Sequence, residues 1–352
     1  MTFRRALAGA VCVAVLLGAV SCKRQAAPVR ETVPFVKSLL AHAPGTPWAL
    51  VQSFDPAGRE GAIYVIGPEE TASVLVQDLL SSDRFDNVTG RPVPDGLPDF
   101  AGETVILVSD LAATPYDRYE RTADVDVLRE AVVRSVVAAL DTVAYVSPYD
   151  QEGSGVRPRA KLIVLASPFM SAYGKFDVDT LFKASGVSNP AVFPCNQMLE
   201  RCVKKHGESA RIAFAGVPGE CSQQVYETIA GRPCAVVPLD ASAPDPFRSF
   251  MDAYAASCEN PEPLDVLLVD NPAVDVCAMR ASCDTLVSVM NESSLVYGHL
   301  VAPGFEIVGS CETVAQSCYA ALRSRGAFTH GIRYPAAGAY KLLEYSDRYV
   351  QE

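Results

Sequence analysis

Histidine is scarce in this chain: His42, His206, His299 and His330 are the whole complement. Nothing in the spacing sets one of them beside a nucleophile, and both the Gly-x-Ser-x-Gly elbow and the His-Glu-x-x-His motif are missing. The sequence therefore carries no signature of a serine hydrolase or a zinc protease. A P-loop is missing too. Cys202-x-x-x-His206 has the look of half a metal site, but structural zinc takes four ligands in paired spacings and no second pair matches. Basic stretches interleaved with aromatics are lacking, and the formal charge of −11 disfavours nucleic acid and anionic lipid as partners. Past residue 21 no apolar run approaches the ~20 residues of a membrane-spanning helix. Cysteine is absent between Cys22 and Cys195.

The first 22 residues carry a distinct pattern. Arg4 and Arg5 precede an uncharged run from Ala6 to Val20, which has the make-up of an export signal and is short for a membrane span. The run closes on Leu16-Leu17-Gly18-Ala19-Val20-Ser21-Cys22, which resembles the lipobox of bacterial lipoproteins, with Ala19 standing where Leu is usual. That resemblance implies cleavage before Cys22, acylation of Cys22 and a soluble body tethered to a membrane outside the cytoplasm. More than one acyl chain is needed for stable anchoring. Losing Arg4 and Arg5 takes the formal charge from −11 to −13. Nine cysteines lie from Cys195 to Cys318. Export permits disulfides, with Cys195/Cys202, Cys277/Cys283 and Cys311/Cys318 as candidate neighbours. Burial as small apolar residues is the equal alternative.

The chain divides into a signal peptide (1–21), a charged, Pro/Ala-containing tether (22–35) and two α/β lobes, 36–194 and 195–352. The crossover is expected near Gly186–Pro194, with further crossings between lobes. Short β-branched runs read as strands at Trp48–Phe54, Gly61–Ile66, Thr104–Ser109, Thr142–Ser147 and Lys161–Ala166. The second half repeats the rhythm at Ala210–Ala215, Cys234–Leu239, Leu264–Val269, Ser294–Tyr297 and Phe305–Val308. Amphipathic stretches at Glu69–Ser81, Val125–Leu140, Pro246–Ser257 and Cys311–Arg323 read as helices, the first opened by Pro68, Glu69 and Glu70. Alternation of buried strands with crossover helices predicts two doubly wound α/β lobes with a cleft between them.

Polar and aromatic residues recur just past the strand ends: Phe54-Asp55, Ser109-Asp110, Ser147-Pro148-Tyr149-Asp150, Ser167-Pro168-Phe169 and Asp270-Asn271. Ligands of open α/β sheets bind outside the carboxyl ends of the strands, so this set marks a candidate ligand site. Each member taken alone is also a good turn former or helix cap. Gly216-x-x-Gly219 reads chiefly as a tight βα turn.

In this order of elements, Ala210–Gly216 (ARIAFAG), Glu306–Gly309 (EIVG) and Gly326–Tyr340 (GAFTHGIRYPAAGAY) resemble the second lobe of type I periplasmic substrate-binding proteins. The likeness is to the basic-membrane-protein branch, which includes purine-nucleoside-binding lipoproteins and a spirochaetal offshoot that binds riboflavin. The resemblance implies a lipoprotein that passes a flat ligand, riboflavin or a nucleoside, to an ABC permease by hinge closure. It performs no chemistry and needs no cofactor or metal. On that reading Phe54, Tyr149, Phe169 and Tyr173 would stack on the ligand ring, and Asp110, Asp270 and Asn271 would hold its polar edge. Two other classes compete: a cleft hydrolase with Asp110 or Asp150 as base, and a structural or interaction lipoprotein cross-linked through cysteine.

Overall fold

A computed structural model describes residues 30–344 except 112, 145–152, 154, 258, 289–292 and 330–338. From Thr32 on, the described residues form one compact unit. Its frame is two parallel sheets. The first uses β1 (Ala62–Gly67), β2 (Thr104–Ser109), β5 (Ala160–Leu165), β6 (Ala191–Val192) and β11 (Ala339–Glu344), in the order β11-β2-β1-β5-β6. The second uses β7 (Ile212–Gly216), β8 (Ala235–Pro238), β9 (Leu264–Asp270) and β10 (Val301–Gly309), in the order β10-β9-β7-β8. A two-residue antiparallel pair, β3 (Val143–Ala144) with β4 (Gly155–Val156), stands apart.

Strands buried on both faces must be apolar throughout, and all six residues of β1 and of β5 are buried. Helices fill the crossovers: α3 (Glu69–Ser81), α5 (Val125–Ala139) and α6 (Lys175–Ser185) in the first half, then α8 (Gln223–Ala230), α9 (Pro246–Ser257) and α10 (Val276–Leu286). Shorter helices are α1 (Pro34–Leu40), α2 (Trp48–Gln52), α4 (Asp117–Arg121) and α11 (Ser294–Tyr297). Two long helices, α7 (Pro194–His206) and α12 (Ser310–Arg325), carry the chain between the sheets. The passage from the first sheet to the second runs along α7, which begins at Pro194. One core cluster runs across both sheets, from Tyr64 and Phe169 to Phe214, Tyr226 and Leu268.

The two-lobed α/β architecture with parallel sheets stands, and several elements are corrected. Trp48–Phe54 is a helix with a trailing loop, and Ser294–Tyr297 is a helix. Both runs are short and apolar, and at that length periodicity cannot separate strand from helix. The chain also returns to the first sheet. Helix α12 buries Val314, Ala315, Cys318 and Leu322 against residues of β1, β2 and β5, and β11 pairs with β2 in register from Ala339/Thr104 to Glu344/Ser109. The buried Lys161 ammonium ties this return down. It meets the Glu103 carboxylate at 2.5 Å and donates to the carbonyl oxygen of Ala327 and to Thr329 Oγ1.

The neighbouring-cysteine pairs are also corrected: all six thiols are free. Cys195 and Cys202 lie on α7, Cys277 and Cys283 on α10, and Cys311 and Cys318 on α12. Six or seven residues of helix separate their Cα atoms by about 9–10 Å, beyond the reach of a disulfide.

Candidate active site

In each sheet the chain starts in the middle, lays one strand to one side and then switches to the other. The switch points lie between β1 and β5 and between β7 and β9, and the crevice at such a point opens at the carboxyl ends of the strands. Those two ends face each other here. Thr71 Oγ1 on α3 donates to Glu220 Oε1 from the turn after β7 (3.2 Å), and Ser222 Oγ donates to Glu120 Oε2 from α4 (2.8 Å). The Cys195 thiol, at the start of α7, donates to Asp270 Oδ2 at the end of β9 (2.9 Å).

Asp270 is the centre of this polar cluster. Its Oδ2 accepts from Cys195 Sγ and from Tyr226 Oη, both at 2.9 Å. Burial pushes the Asp270 carboxyl up to about 6, against the two donors that favour its ionised form. Burial and the adjacent carboxylate hold the Cys195 thiol far above the usual range, so it is a protonated donor. The Tyr226 hydroxyl is raised for the same reasons. Tyr226 also stacks on Phe214 with ring centroids 4.6 Å apart. Gly216 makes the arrangement possible, because a Cβ there would sit 2.5 Å from Tyr226 Oη and 3.0 Å from Cys221 Sγ.

Glu220 is the second perturbed carboxyl. Burial lifts it to about 7, opposed by the Thr71 hydroxyl and supported by the negative charges of Asp270 and Glu70. On the first sheet's side, burial raises Asp110, whose Oδ2 accepts from Tyr116 Oη at 2.7 Å. Polar valences stay open around this cluster. Asp110 Oδ1, Glu220 Oε2, Ser171 Oγ and Asn196 Oδ1 are buried and have no hydrogen-bond partner. The Ala113 N–H faces the Asp110 carboxyl and works against its rise, and the Ser171 hydroxyl does the same at the Cys195 thiol. Buried polar groups are normally paired, so several orphans around one crevice mark a place for a ligand. Among the described residues no cluster of side chains is set to hold a metal ion.

The residues expected at the site from sequence divide as follows. Asp110 and Asp270 are in the cluster. Asn271 is next to it, but its amide donates to the carbonyl oxygen of Leu239 (2.8 Å) and its Oδ1 accepts from the Ala273 N–H, so it shapes the turn. Phe169 and Tyr173 follow β5 as expected, yet they are core residues, 1 % and 6 % exposed, with Phe169 against Tyr116 and the Tyr173 hydroxyl on Glu120. Phe54 lies elsewhere. With Arg59, Arg159 and Lys161 it lines a cavity of about 490 Å³ at the amino ends of β1 and β5. Tyr149, Asp150 and Cys22 lie outside the described residues. Sequence reasoning missed Cys195, Glu220, Tyr226, Tyr116 and Ser171. The Gly216-x-x-Gly219 turn was the one signal near Glu220.

No protein-family model matches the chain, and no curated protein does. Solved structures with a similar course include glutamate racemase isoform RacE1 from Bacillus anthracis, with 12 % identity, 81 % of this chain and 87 % of that chain covered, and a TM-score of 0.44. Glutamate racemase from Thermus thermophilus gives 13 %, 82 %, 88 % and 0.40, and an aspartate racemase homologue from Pyrococcus horikoshii gives 12 %, 76 %, 99 % and 0.38. Likeness at this level assigns no residue and no substrate. It does correct the sequence resemblance, because the similar structures bear the names of racemases and a racemase homologue and not of importer-linked binding lipoproteins. The binding-protein branch, the riboflavin or nucleoside transport function, the ABC permease as partner and the assignment as a non-enzyme all fall with it. The physical reason is plain. A short apolar run ending in Gly is what any buried parallel strand looks like before a tight βα turn, so ARIAFAG and EIVG do not tell one doubly wound family from another. Among the described residues proposed to stack on a ligand, the Phe169 and Tyr173 rings are packed into the core.

Proposed function

We propose that this chain is an enzyme that moves protons on a small polar substrate held between the carboxyl ends of its two sheets. The observation that carries the reading is the pair of buried carboxyls, Asp270 raised to about 6 and Glu220 to about 7, the second pushed up in part by the charge of the first. Environments that hold two acids close to neutrality give one the role of base and the other that of acid. Asp270, ionised first, is the base. Both its donors fall on Oδ2, which leaves Oδ1 to take a proton from a substrate C–H or O–H. Glu220, still protonated just below pH 7, returns a proton. Cys195 and Tyr226 are positioning residues that fix the Asp270 carboxylate. The buried network is then the closed form of an interlobe cleft, opened for substrate by movement of one sheet against the other about α7 and α12.

The test is solvent exchange. The protein is incubated in D2O with a panel of amino acids and 2-substituted carbonyl compounds, and loss of the α-proton signal is followed by NMR. Wild-type protein exchanges at least one member of the panel, and Asp270→Asn lowers the rate by roughly 10²–10⁴-fold, the usual contribution of a positioned base. A wild type that exchanges none of the panel overturns the reading.

For the cell, we propose that the chain is exported and held at a membrane surface through acyl groups on Cys22. Cells fed labelled palmitate would incorporate label into the wild type and not into Cys22→Ser. Equal labelling of the two would overturn this assignment.

A further inference from the structure

We infer that the crevice between the sheets takes a small cationic amine and excludes acidic compounds, an inference that rests on reading this crevice as the substrate site. Three features argue for it. The first is the kind of valence left open. Asp110 Oδ1 and Glu220 Oε2 are buried atoms without a partner, and the Ser171 hydroxyl beside Cys195 is a third open position. Asp110 Oδ1, once its carboxyl is ionised, can only accept, so its missing partner is a donor. Asp110 and Ser171 are each only 2 % exposed, so bulk water does not supply it.

The second feature is charge. Asp110, Glu220 and Asp270 all belong to the cluster, and Glu70 at its rim acts on Glu220. Among the described residues the one cation acting on these three carboxyls is Arg118, near Asp110, and its guanidinium already donates to Tyr119 Oη at 2.7 Å. A glutamate or aspartate side chain entering here would meet like charges in a medium far less screening than water. An ammonium group would meet opposite charge and bring N–H donors for open acceptors of this kind.

The third feature is linkage. Burial holds these carboxyls above their usual range, and an arriving cation would favour their ionised forms. Uptake of an amine near neutral pH therefore releases protons to the buffer.

Isothermal titration of the full chain at pH 7 tests the inference, with cadaverine and L-lysine as amine probes, L-glutamate as the acidic probe and xylitol as a neutral polyol. The amines are expected to bind at least tenfold more tightly than L-glutamate and xylitol. Their binding heat should vary with the ionisation enthalpy of the buffer, in the sense of proton release. Asp110→Asn should weaken cadaverine at least tenfold, with melting by circular dichroism as the control for folding. If that variant does not fold, Glu220→Gln serves the same purpose. Tighter binding of L-glutamate or xylitol, amine affinity unchanged in the variants, or no binding of any probe would each overturn the inference. The two readings of the crevice fail separately. Solvent exchange without amine preference would remove this one and leave the enzyme. Amine binding without exchange of any panel member would do the reverse.

Discussion

The Asp270 carboxyl pays for its position. Moving it from its ordinary 3.8 to about 6 corresponds to roughly 3 kcal/mol against the ionised form. A carboxyl raised in the folded state contributes stability that is complete below its unfolded value and is lost as pH rises through the folded value. Asp270 should therefore destabilise the wild type progressively from about pH 4 to about pH 6. Asp270→Asn removes that dependence, so melting curves should show the variant gaining on the wild type at pH 8 and not at pH 4. Activity has a different profile. It needs Asp270 ionised and Glu220 protonated, so the exchange rate should rise through about pH 6, fall above about pH 7 and trace a narrow bell. A rate that climbs steadily to pH 9 would remove Glu220 as the acid. Gly216→Ala tests the packing behind the site, since the new Cβ would displace Tyr226 Oη from Asp270. Exchange should drop at least tenfold while Gly298→Ala, whose new Cβ would meet nothing closer than Ser294 Cβ at 3.8 Å, leaves it near wild type. Asp110 and Asp270 were legible from sequence because strand ends announce themselves. Cys195 was not, because it opens a helix and reaches the site only through α7. Nor were Tyr226, on the helix after β7, and Ser171, in a π-helical turn at Met170–Gly174.

At the scale of elements, that π-helical turn is tightly packed. Gly174 closes it, and a Cβ at Gly174 would lie 2.3 Å from Val132 Cγ1 on α5. Overpacking of this degree typically costs 1–3 kcal/mol. Gly174→Ala should lower the urea midpoint accordingly, and restoring space with Val132→Ala in the same chain should recover part of the loss. Helix α12 gives a complementary test. Leu322 is fully buried in the cluster formed with β1, β2 and β5, so Leu322→Ala should cost about 2–5 kcal/mol. Glu69–Ser81 and Pro246–Ser257 form helices with the bounds their patterns predict, and Thr104–Ser109 a strand. Length and flanking turns sufficed there. Trp48–Gln52 and Ser294–Tyr297 defeated the same reasoning because four or five apolar residues carry no period.

The molecule as a whole is organised by the return of its C-terminal end to the first sheet. Local pattern has no means of naming the partner of β11, since any parallel edge would satisfy its hydrogen bonds. Ending the chain after Thr329 removes β11 and bares the edge of β2. Such a chain should melt lower and associate, seen as a concentration-dependent sedimentation coefficient.

The two crossings lie side by side. Helices α7 and α12 pack together, Arg201 donates to Gln316, and Lys205 and His206 both reach Glu306, at 2.8 Å and 3.0 Å. Everything between His206 and Ser310 thus enters and leaves through one clasp, while at either end of the described chain α1 packs on α5 and α6 and β11 joins the first sheet. A protein strung this way bears tension unevenly. Pulled by its ends in an optical trap, the first sheet takes the load and the second is shielded until the clasp parts. The force–extension trace should then show a late, separate step of about 340–370 Å as those hundred or so residues pay out.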